Sequence, residues 1–138
     1  MVIDTSAIVA IFFGEPDAAV YRDCIADDPV RLISAATLLE TAMVIEGRFG
    51  EAGGTEFDLW SHKAGLEIVA VTPEHADQAR RAWRRYGKGR DPAGLNFGDC
   101  FSYALAKLTG EALLYKGNDF SKTDIVSARS SEAGSEAQ

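Results

Sequence analysis

Two aspartates follow short apolar segments that are typical of buried strands. Asp4 comes directly after Met1-Val2-Ile3, and Asp119 comes a few residues after the apolar segment 112–115. If both segments are parallel strands, the two carboxylates lie along the same edge of the sheet, where the functional crevices of open parallel sheets form. The alternative is that each aspartate only caps a helix or a turn, which is a common role for this residue type.

Two further acids lie in predicted helices. Glu40 shares a mostly apolar helix face with Ala36, Thr37, Met43 and Val44. Burial of a lone carboxylate costs several kcal/mol, so Glu40 is either a ligand or catalytic group or one half of an ion pair with an arginine. Asp99 projects almost opposite the apolar face of its helix, and its place in the first turn is explained by the helix dipole alone.

Together the four acids would define a recognisable chemistry, provided that the fold brings them together. Carboxylates a few ångströms apart repel by several kcal/mol at intermediate dielectric, so such a cluster requires positive charge. An all-oxygen donor set without cysteine or suitably spaced histidine favours Mg²⁺ or Mn²⁺ over zinc. Such ions lower the pKa of a bound water and neutralise the charge that develops at a phosphodiester. The hypothesis is metal-dependent phosphodiester hydrolysis.

The elements that must position these acids alternate between strands and helices. Apolar segments predict strands at 1–4, 30–33, 66–71 and 112–115 and leave open a short fifth at 124–126. Periodicity and capping residues predict helices at 5–13, 16–27, 35–49, 55–65, 73–86 and 97–108. This order is typical of an α/β fold with a parallel sheet covered on both faces. The helix at 5–13 is apolar all round, so it is expected to be buried or to lie in an interface.

Composition sets the class of protein. The 138 residues suit one domain, which we place at 1–128 and follow with a disordered tail at 129–138 that is rich in Ser, Glu, Ala and Gly. The net charge of −7 argues against a protein that coats nucleic acid with a basic surface, although it does not exclude a nuclease. Two cysteines and no apolar run of ~20 residues predict a cytoplasmic protein without a disulfide framework.

Four segments of the chain carry a family resemblance. They are V-I-D-T-S-A at Val2–Ala7, L-L-E-T-A at Leu38–Ala42, L-N-F-G-D-C-F-S-Y-A-L-A at Leu95–Ala106 and L-L-Y-K-G-N-D-F-S-K-T-D-I at Leu113–Ile125. In this order and spacing they resemble the PIN-domain ribonucleases, specifically the VapC-type toxins of type II toxin–antitoxin modules. The resemblance covers the chain apart from its tail and implies a PIN-like three-layer fold, with a central parallel sheet of about four to five strands.

The resemblance also implies roles for individual residues. It places Asp4, Glu40, Asp99 and Asp119 in the acidic quartet of the family. Asp4 and Asp99 would then be direct metal ligands, while Glu40 and Asp119 would complete the site directly or through metal-bound water. The small hydroxyl residues Thr5 and Ser6 would orient the first aspartate, and Asp124 matches a further acidic position.

The activity implied by the resemblance is that of a Mg²⁺-dependent endoribonuclease, with Mn²⁺ able to substitute. Metal-activated water would cleave structured RNA of the tRNA or rRNA class, leave 5′-phosphate and 3′-hydroxyl ends, and inhibit translation and growth. The implied partners are a VapB-like cognate antitoxin and a second copy of the chain. Two alternatives stay open: a catalytically silent PIN-fold binding module, and a phosphate-accepting receiver-like protein.

One basic segment stands out in this acidic chain. Arg80, Arg81, Arg84, Arg85, Lys88 and Arg90 are six of the fourteen basic residues and lie within eleven positions. A local positive patch of this kind suits contact with RNA phosphates beside an active site. The competing interpretation is a solvated helix face that pairs with acids of the protein or of its antitoxin.

Overall fold

A four-stranded parallel sheet forms the centre of the structure, a computed structural model that describes residues 1–129. Its strands are β1 (Val2–Ile3), β2 (Leu32–Ser34), β3 (Glu67–Val69) and β4 (Leu113–Leu114), in the order β3-β2-β1-β4. Since every neighbouring pair is parallel, the carboxyl ends of all four strands meet at one edge. Of the predicted disordered tail at 129–138, all but Arg129 lies outside the described residues.

Five helices and one 3₁₀ turn complete the described chain. They are α1 (Thr5–Phe12), α2 (Ala18–Asp27), α3 (Ala35–Lys63), α4 (Pro73–Tyr86), α5 (Phe97–Thr109) and the turn Phe120–Lys122. Their ends follow local sequence signals: the Thr72 side chain caps α4 ahead of Pro73, and Gly110 ends α5 in the left-handed conformation at φ +74°. Among residues 1–129, no helix combines the length and apolar character needed to cross a membrane.

Alternation along the short strands divides the core into two layers. Val2, Leu32 and Leu113 pack on one face with buried side chains of α4 and α5. Their neighbours Ile3, Ile33 and Leu114 point to the other face and pack with α1, α2 and α3. Successive side chains of a strand point to opposite faces, so strands of two or three residues serve both layers. The predicted α/β fold with helices on both faces is confirmed.

The structure joins two predicted helices into one element. The prediction ends a helix at Gly50 and starts another at Thr55, whereas α3 runs from Ala35 to Lys63 with a kink at Gly50. Gly50 has φ +76° and ψ −173°, and helical backbone resumes directly after it. Gly53 and Gly54, which lie between the two predicted helices, are helical and buried. A Cβ on Gly53 would lie only 2.4 Å from the Cβ of Phe49, so close packing, not loop flexibility, explains this glycine.

Two other expectations need correction or refinement. The segment 124–126 is not a fifth strand, because within the described chain it adds a single bridge, between Leu113 and Ser127. The apolar helix α1 is covered mostly by this chain itself, through its contacts with α2 and α3, and none of its residues is fully exposed. Its apolar character is therefore explained by burial within the chain.

Candidate active site

Asp4 lies at the carboxyl end of β1, where the chain turns into α1. It is 3% exposed. Its Oδ2 accepts hydrogen bonds from the backbone N–H of Ser6 at 3.0 Å and from the Ser6 hydroxyl at 2.6 Å, and its Oδ1 accepts one from the Ser102 hydroxyl at 2.6 Å. A carboxylate has about four acceptor sites, so these three bonds fix its orientation and leave one site on Oδ1. Asp4 is thus a helix cap and also a carboxylate with acceptor capacity to spare.

Glu40 reaches the same edge from the second turn of α3. Its Oε1 accepts a hydrogen bond of 2.7 Å from the Thr5 hydroxyl. A Cβ placed on Gly98 would lie 2.1 Å from Oε2 of Glu40, so the carboxylate lies directly against the first turn of α5. The predicted apolar surroundings are only partly present, because Met43 and Val44 are exposed. Glu40 is half-buried and forms no ion pair within residues 1–129, so the predicted alternative of a structural partner arginine is wrong.

Asp99 lies in the first turn of α5, and its surroundings differ from those predicted. Periodicity placed it opposite a core face that includes Leu108, but α5 is buried on most sides and Leu108 is 42% exposed. α5 packs against the sheet, α3 and α4, which leaves Asp99 half-buried. Asp99 Oδ2 accepts from the Asn96 N–H at 3.0 Å, and Asn96 Oδ1 accepts from the Asp99 N–H at 2.9 Å, which completes a capping box.

The electrostatics of Asp99 show how the four acids are related. The pKa of Asp99 is raised to about 7, first by burial and then by the negative charges of Asp4, Asp119 and Glu40, in that order. The hydrogen bond from the Asn96 N–H acts in the opposite direction. All three remaining acids of the predicted quartet therefore act on Asp99 through space. The fold brings the four carboxylates of the quartet into one region.

Asp119 enters this region from the loop after β4. It immediately precedes the 3₁₀ turn Phe120–Lys122 and makes no capping hydrogen bond with its side chain. The residue is exposed, whereas Phe120 beside it is 2% exposed and anchors the turn in the core. The predicted alternative of a turn cap therefore does not account for this carboxylate.

The donor set fits a hard divalent cation by its chemistry. Within residues 1–129, none of the four carboxylates is in an ion pair, and Asp4, Glu40 and Asp119 all lie close enough to Asp99 to raise its pKa. Carboxylate oxygens without a cationic partner are ligands that Mg²⁺ or Mn²⁺ prefers. At the same time, the described residues contain no group of three or more Asp, Glu, His or Cys side chains already gathered at metal-binding distances.

Of the three predicted supporting residues, Thr5 and Ser6 contact the quartet and Asp124 does not. Ser6 donates to Asp4 as predicted, but the hydroxyl of Thr5 is directed to Glu40 and not to Asp4. Asp124 lies apart from the quartet: it accepts from the Tyr103 hydroxyl at 2.5 Å and from Lys107 Nζ at 2.9 Å. Burial acts to raise the pKa of Asp124, but these hydrogen bonds and the nearby charges hold it below its usual value. Its contacts are those of a structural group that ties α5 to the chain after β4.

Sequence reasoning missed two residues that shape the site. Ser102 is fully buried and joins Asp4 to Thr37, whose Oγ1 lies 3.2 Å from the Ser102 hydroxyl oxygen. Its position one turn after Asp99 was the available signal, because residues three apart share a helix face. Gly98 is the second, since only a residue without Cβ leaves space for Glu40. No local pattern signals that requirement.

The basic segment extends over α4 and the following loop, and its members have different surroundings. Arg81 pairs with Asp77 at 3.6 Å and Arg85 with Asp124 at 3.7 Å. The Arg90 Nε donates to the Arg84 carbonyl at 3.4 Å. Arg80 and Lys88 line a cavity between α4 and α5. All six side chains are exposed, but two of them are partly neutralised by acids of this chain.

Comparisons with known proteins bear on the family and the fold of this chain. The family model described as the PIN domain matches residues 1–126. A ribonuclease VapC of Mycolicibacterium smegmatis is 62% identical over 126 residues, which cover 91% of this chain and 98% of the relative. Ribonuclease VapC30 of Mycobacterium tuberculosis is 59% identical over 91% of this chain and 96% of the relative. The crystal structure of Mycobacterium tuberculosis VapC20, a sarcin–ricin loop cleaving toxin, superposes with a TM-score of 0.74 at 22% identity, over 91% of this chain and 95% of that one, and supports the fold alone.

Proposed function

This chain belongs to the PIN-domain family, among the VapC ribonucleases, and we propose that it is a Mg²⁺-dependent endoribonuclease whose active site is the quartet Asp4, Glu40, Asp99 and Asp119. The observation that carries the proposal is the half-buried Asp99, which has no ion-pair partner within residues 1–129 and lies close enough to the three other acids for their charges to raise its pKa. A purely structural site gains nothing from such repulsion. In a site that binds a cation, the charge of the cation offsets this repulsion.

Asp4 and Asp99 would hold the cation, with Glu40 and Asp119 completing the site. A bound Mg²⁺ or Mn²⁺ would supply the positive charge that activates water and stabilises the departing 3′-oxygen. Ser6 and Ser102 hold the Asp4 carboxylate in one orientation. Both α1 and α5 point their N-termini towards this region, which favours negative charge there.

Glu40 would orient the attacking water and accept its proton. Its Oε1 accepts the hydrogen bond from Thr5, and Oε2, which faces Gly98, would accept the proton. Asp119 would complete the site from the loop after β4. Attack of water on phosphorus leaves a 5′-phosphate and a 3′-hydroxyl, and the 2′-hydroxyl of the RNA is not a reactant.

In the cell we propose that the protein acts as the toxin of a toxin–antitoxin module. The support is its membership among the VapC ribonucleases, with identity of up to 62% to the relatives named above. The proposed substrate is a structured RNA of the tRNA or rRNA class, whose cleavage inhibits translation. The proposed partners are a VapB-like antitoxin and a second copy of the chain, in the cytoplasm.

Cleavage of RNA by the purified protein tests the mechanism. Wild-type protein with Mg²⁺ should cleave total RNA, and EDTA should abolish cleavage. Glu40→Gln should slow turnover far more than it weakens RNA binding, whereas Glu56→Gln, at an exposed position of the same helix, should have no effect. The new ends should be 5′-phosphate and 3′-hydroxyl. Cyclic phosphate ends, or loss of cleavage on a single 2′-deoxy substitution that leaves binding intact, would contradict the mechanism.

The basic segment is proposed to contact phosphates of the RNA. In a catalytically inactive Glu40→Gln protein, reversal of Arg84 and Arg85 to Glu should weaken RNA binding and make the affinity less dependent on salt concentration. The slope of log affinity against log salt concentration should become less steep by about 0.7 for each phosphate of single-stranded RNA that the protein no longer neutralises. Arg22→Glu, at an exposed position of α2, provides the control for charge reversal outside the segment. Equal affinities of the double variant and the control at low salt would assign the segment to another partner.

A further inference from the structure

A solvent-accessible cavity of about 580 Å³ lies between α4 and α5, beside the quartet. Three aromatic side chains line it, Trp83, Phe97 and Phe101, and most of the remaining lining is apolar. Its polar side chains include Arg80 and Lys88. We name these five residues the aromatic groove. Its volume and its apolar lining with few polar groups are those of cavities that bind small molecules.

The exposure of the aromatic rings is unusual for residues with only a packing role. Phe97 is 82% exposed and Trp83 is 45% exposed. Phe97 packs edge-to-face on Phe101 with ring centroids 4.9 Å apart, and the Arg90 guanidinium lies 4.5 Å from the centroid of the Trp83 ring. These contacts hold the two rings in position while leaving ring surface open to solvent. Open, fixed ring surface is suited to stacking with a planar partner.

The groove and the quartet share one helical turn. Phe97 immediately precedes Gly98 and Asp99 in the first turn of α5. Asn96 lines the groove and also donates its backbone N–H to Asp99. Asn96 thus connects the groove to the quartet at the N-terminal end of α5, so a nucleotide bound in the groove would lie next to the proposed cleavage site.

The charge of the rim distinguishes between possible occupants. Within residues 1–129, neither Arg80 nor Lys88 forms an ion pair, although the chain as a whole carries a net charge of −7. Two unneutralised cations beside exposed aromatic rings match a ligand that has both planar rings and negative charge. A nucleotide has both features, which an apolar helix of a protein partner lacks.

We propose that the aromatic groove binds an unstacked nucleobase of the RNA substrate against Trp83 and Phe97, while Arg80 and Lys88 contact its flanking phosphates. This proposal rests on the ribonuclease function proposed above and adds to it a subsite for single-stranded RNA. Stacking tolerates any base, because every base has a π-face. The groove therefore favours cleavage in loops and bulges, where a base can leave the helix.

The test uses the Glu40→Gln full-length chain in EDTA and a short single-stranded oligoribonucleotide that contains 2-aminopurine, whose fluorescence falls on stacking. Binding should quench the fluorescence. Phe97→Ala and Trp83→Ala should each reduce the quenching and weaken binding by about 5- to 150-fold, the range that corresponds to removal of one stacked ring. Trp83→Phe should restore most of the affinity, and Trp83→Leu should not. Phe49→Ala, which removes another half-exposed aromatic ring outside the groove, should bind like the parent.

Each alternative outcome identifies a different error. If the wild-type protein cleaves RNA but the Phe97→Ala and Trp83→Ala variants bind RNA as tightly as the Glu40→Gln parent, the groove proposal is overturned and the ribonuclease function stays intact. Failure of the wild-type protein to cleave RNA overturns the function itself. Equal rescue by Leu and Phe at position 83 overturns stacking. A change of oligomeric state on sedimentation of the Phe97→Ala variant would show that a second copy covers the groove, which also overturns the proposal. Circular dichroism of each variant checks that the fold is retained.

Discussion

Asp99→Asn should stabilise the metal-free protein in a pH-dependent way. The substitution keeps the shape of the side chain and an acceptor for the Asn96 N–H, but it removes the charge. The pKa of Asp99 is raised from 3.8 to about 7 in the folded protein, so the folded state holds the proton more tightly than the unfolded chain. The stabilising contribution is therefore complete below about pH 4 and is lost as the pH rises through about 7.

The size of this effect follows from the shift. A change of about three units at 1.36 kcal/mol per unit corresponds to about 4 kcal/mol. Because Asp99 is only partly buried, solvent screening reduces this to about 2 kcal/mol. Loss of a negative charge in the first turn of α5 acts in the other direction, by about 0.3 to 1 kcal/mol. The cost of holding a charge at this buried position, to which the three other acids add, is the larger effect, so the variant should be more stable than the wild type by about 1 to 2 kcal/mol at about pH 8.

Urea unfolding of both proteins in EDTA measures the difference. The free energy of unfolding of the wild type should fall between about pH 4 and about pH 8 relative to that of Asp99→Asn. Mg²⁺ at a hundred times its Kd should return about 2.7 kcal/mol to the wild type and much less to the variant. Asp124→Asn is the control of opposite sign, because the pKa of Asp124 is lowered and its loss destabilises the fold at neutral pH. A difference between wild type and Asp99→Asn that does not change with pH would refute the convergence of the four carboxylates.

Two further substitutions test the positioning of the site. Ser102→Ala removes a buried hydrogen bond to Asp4 and should lower metal affinity or RNA cleavage by about 10- to 100-fold. The control is Ser61→Ala, which removes a buried serine of α3 that bonds only to backbone carbonyls and should change stability alone. Equal cleavage by both variants would contradict the role of Ser102. Gly98→Ala places a Cβ 2.1 Å from the Glu40 carboxylate and should reduce cleavage while leaving the melting temperature within a few degrees, whereas Gly47→Ala has no neighbour within 4 Å and should retain full activity. Full cleavage by Gly98→Ala would show that Glu40 is free to move without loss of function.

Part of the site was predictable because its signals are local. Asp4 and Asp119 follow apolar segments, and the parallel order of the strands places the ends of those segments at one edge. The cap at Asn96 also follows from residues adjacent in the chain. The fold class and the PIN-domain family are confirmed, while the catalytic roles of the four acids stay predictions until activity is measured.

Asp99 shows where periodicity failed. Its helix was assigned one core face, but α5 is the central helix and is covered by the sheet, α3 and α4. A helix buried on most sides has no single apolar stripe to reveal its orientation. The acid that seemed least remarkable in the sequence is therefore the one whose pKa depends on the three others.

The sequence by itself determined which groups are available: four carboxylates, the caps that begin α1 and α5, and the apolar segments that build a parallel sheet. Only the tertiary structure decided how they are held. The hydrogen bond from Ser102 to Asp4 joins residues 98 positions apart, and the contact of Gly98 with Glu40 joins two helices. Capping and turn preferences act over a few neighbouring residues, whereas such contacts exist only after the packing of α3 and α5 on the sheet has fixed their distance.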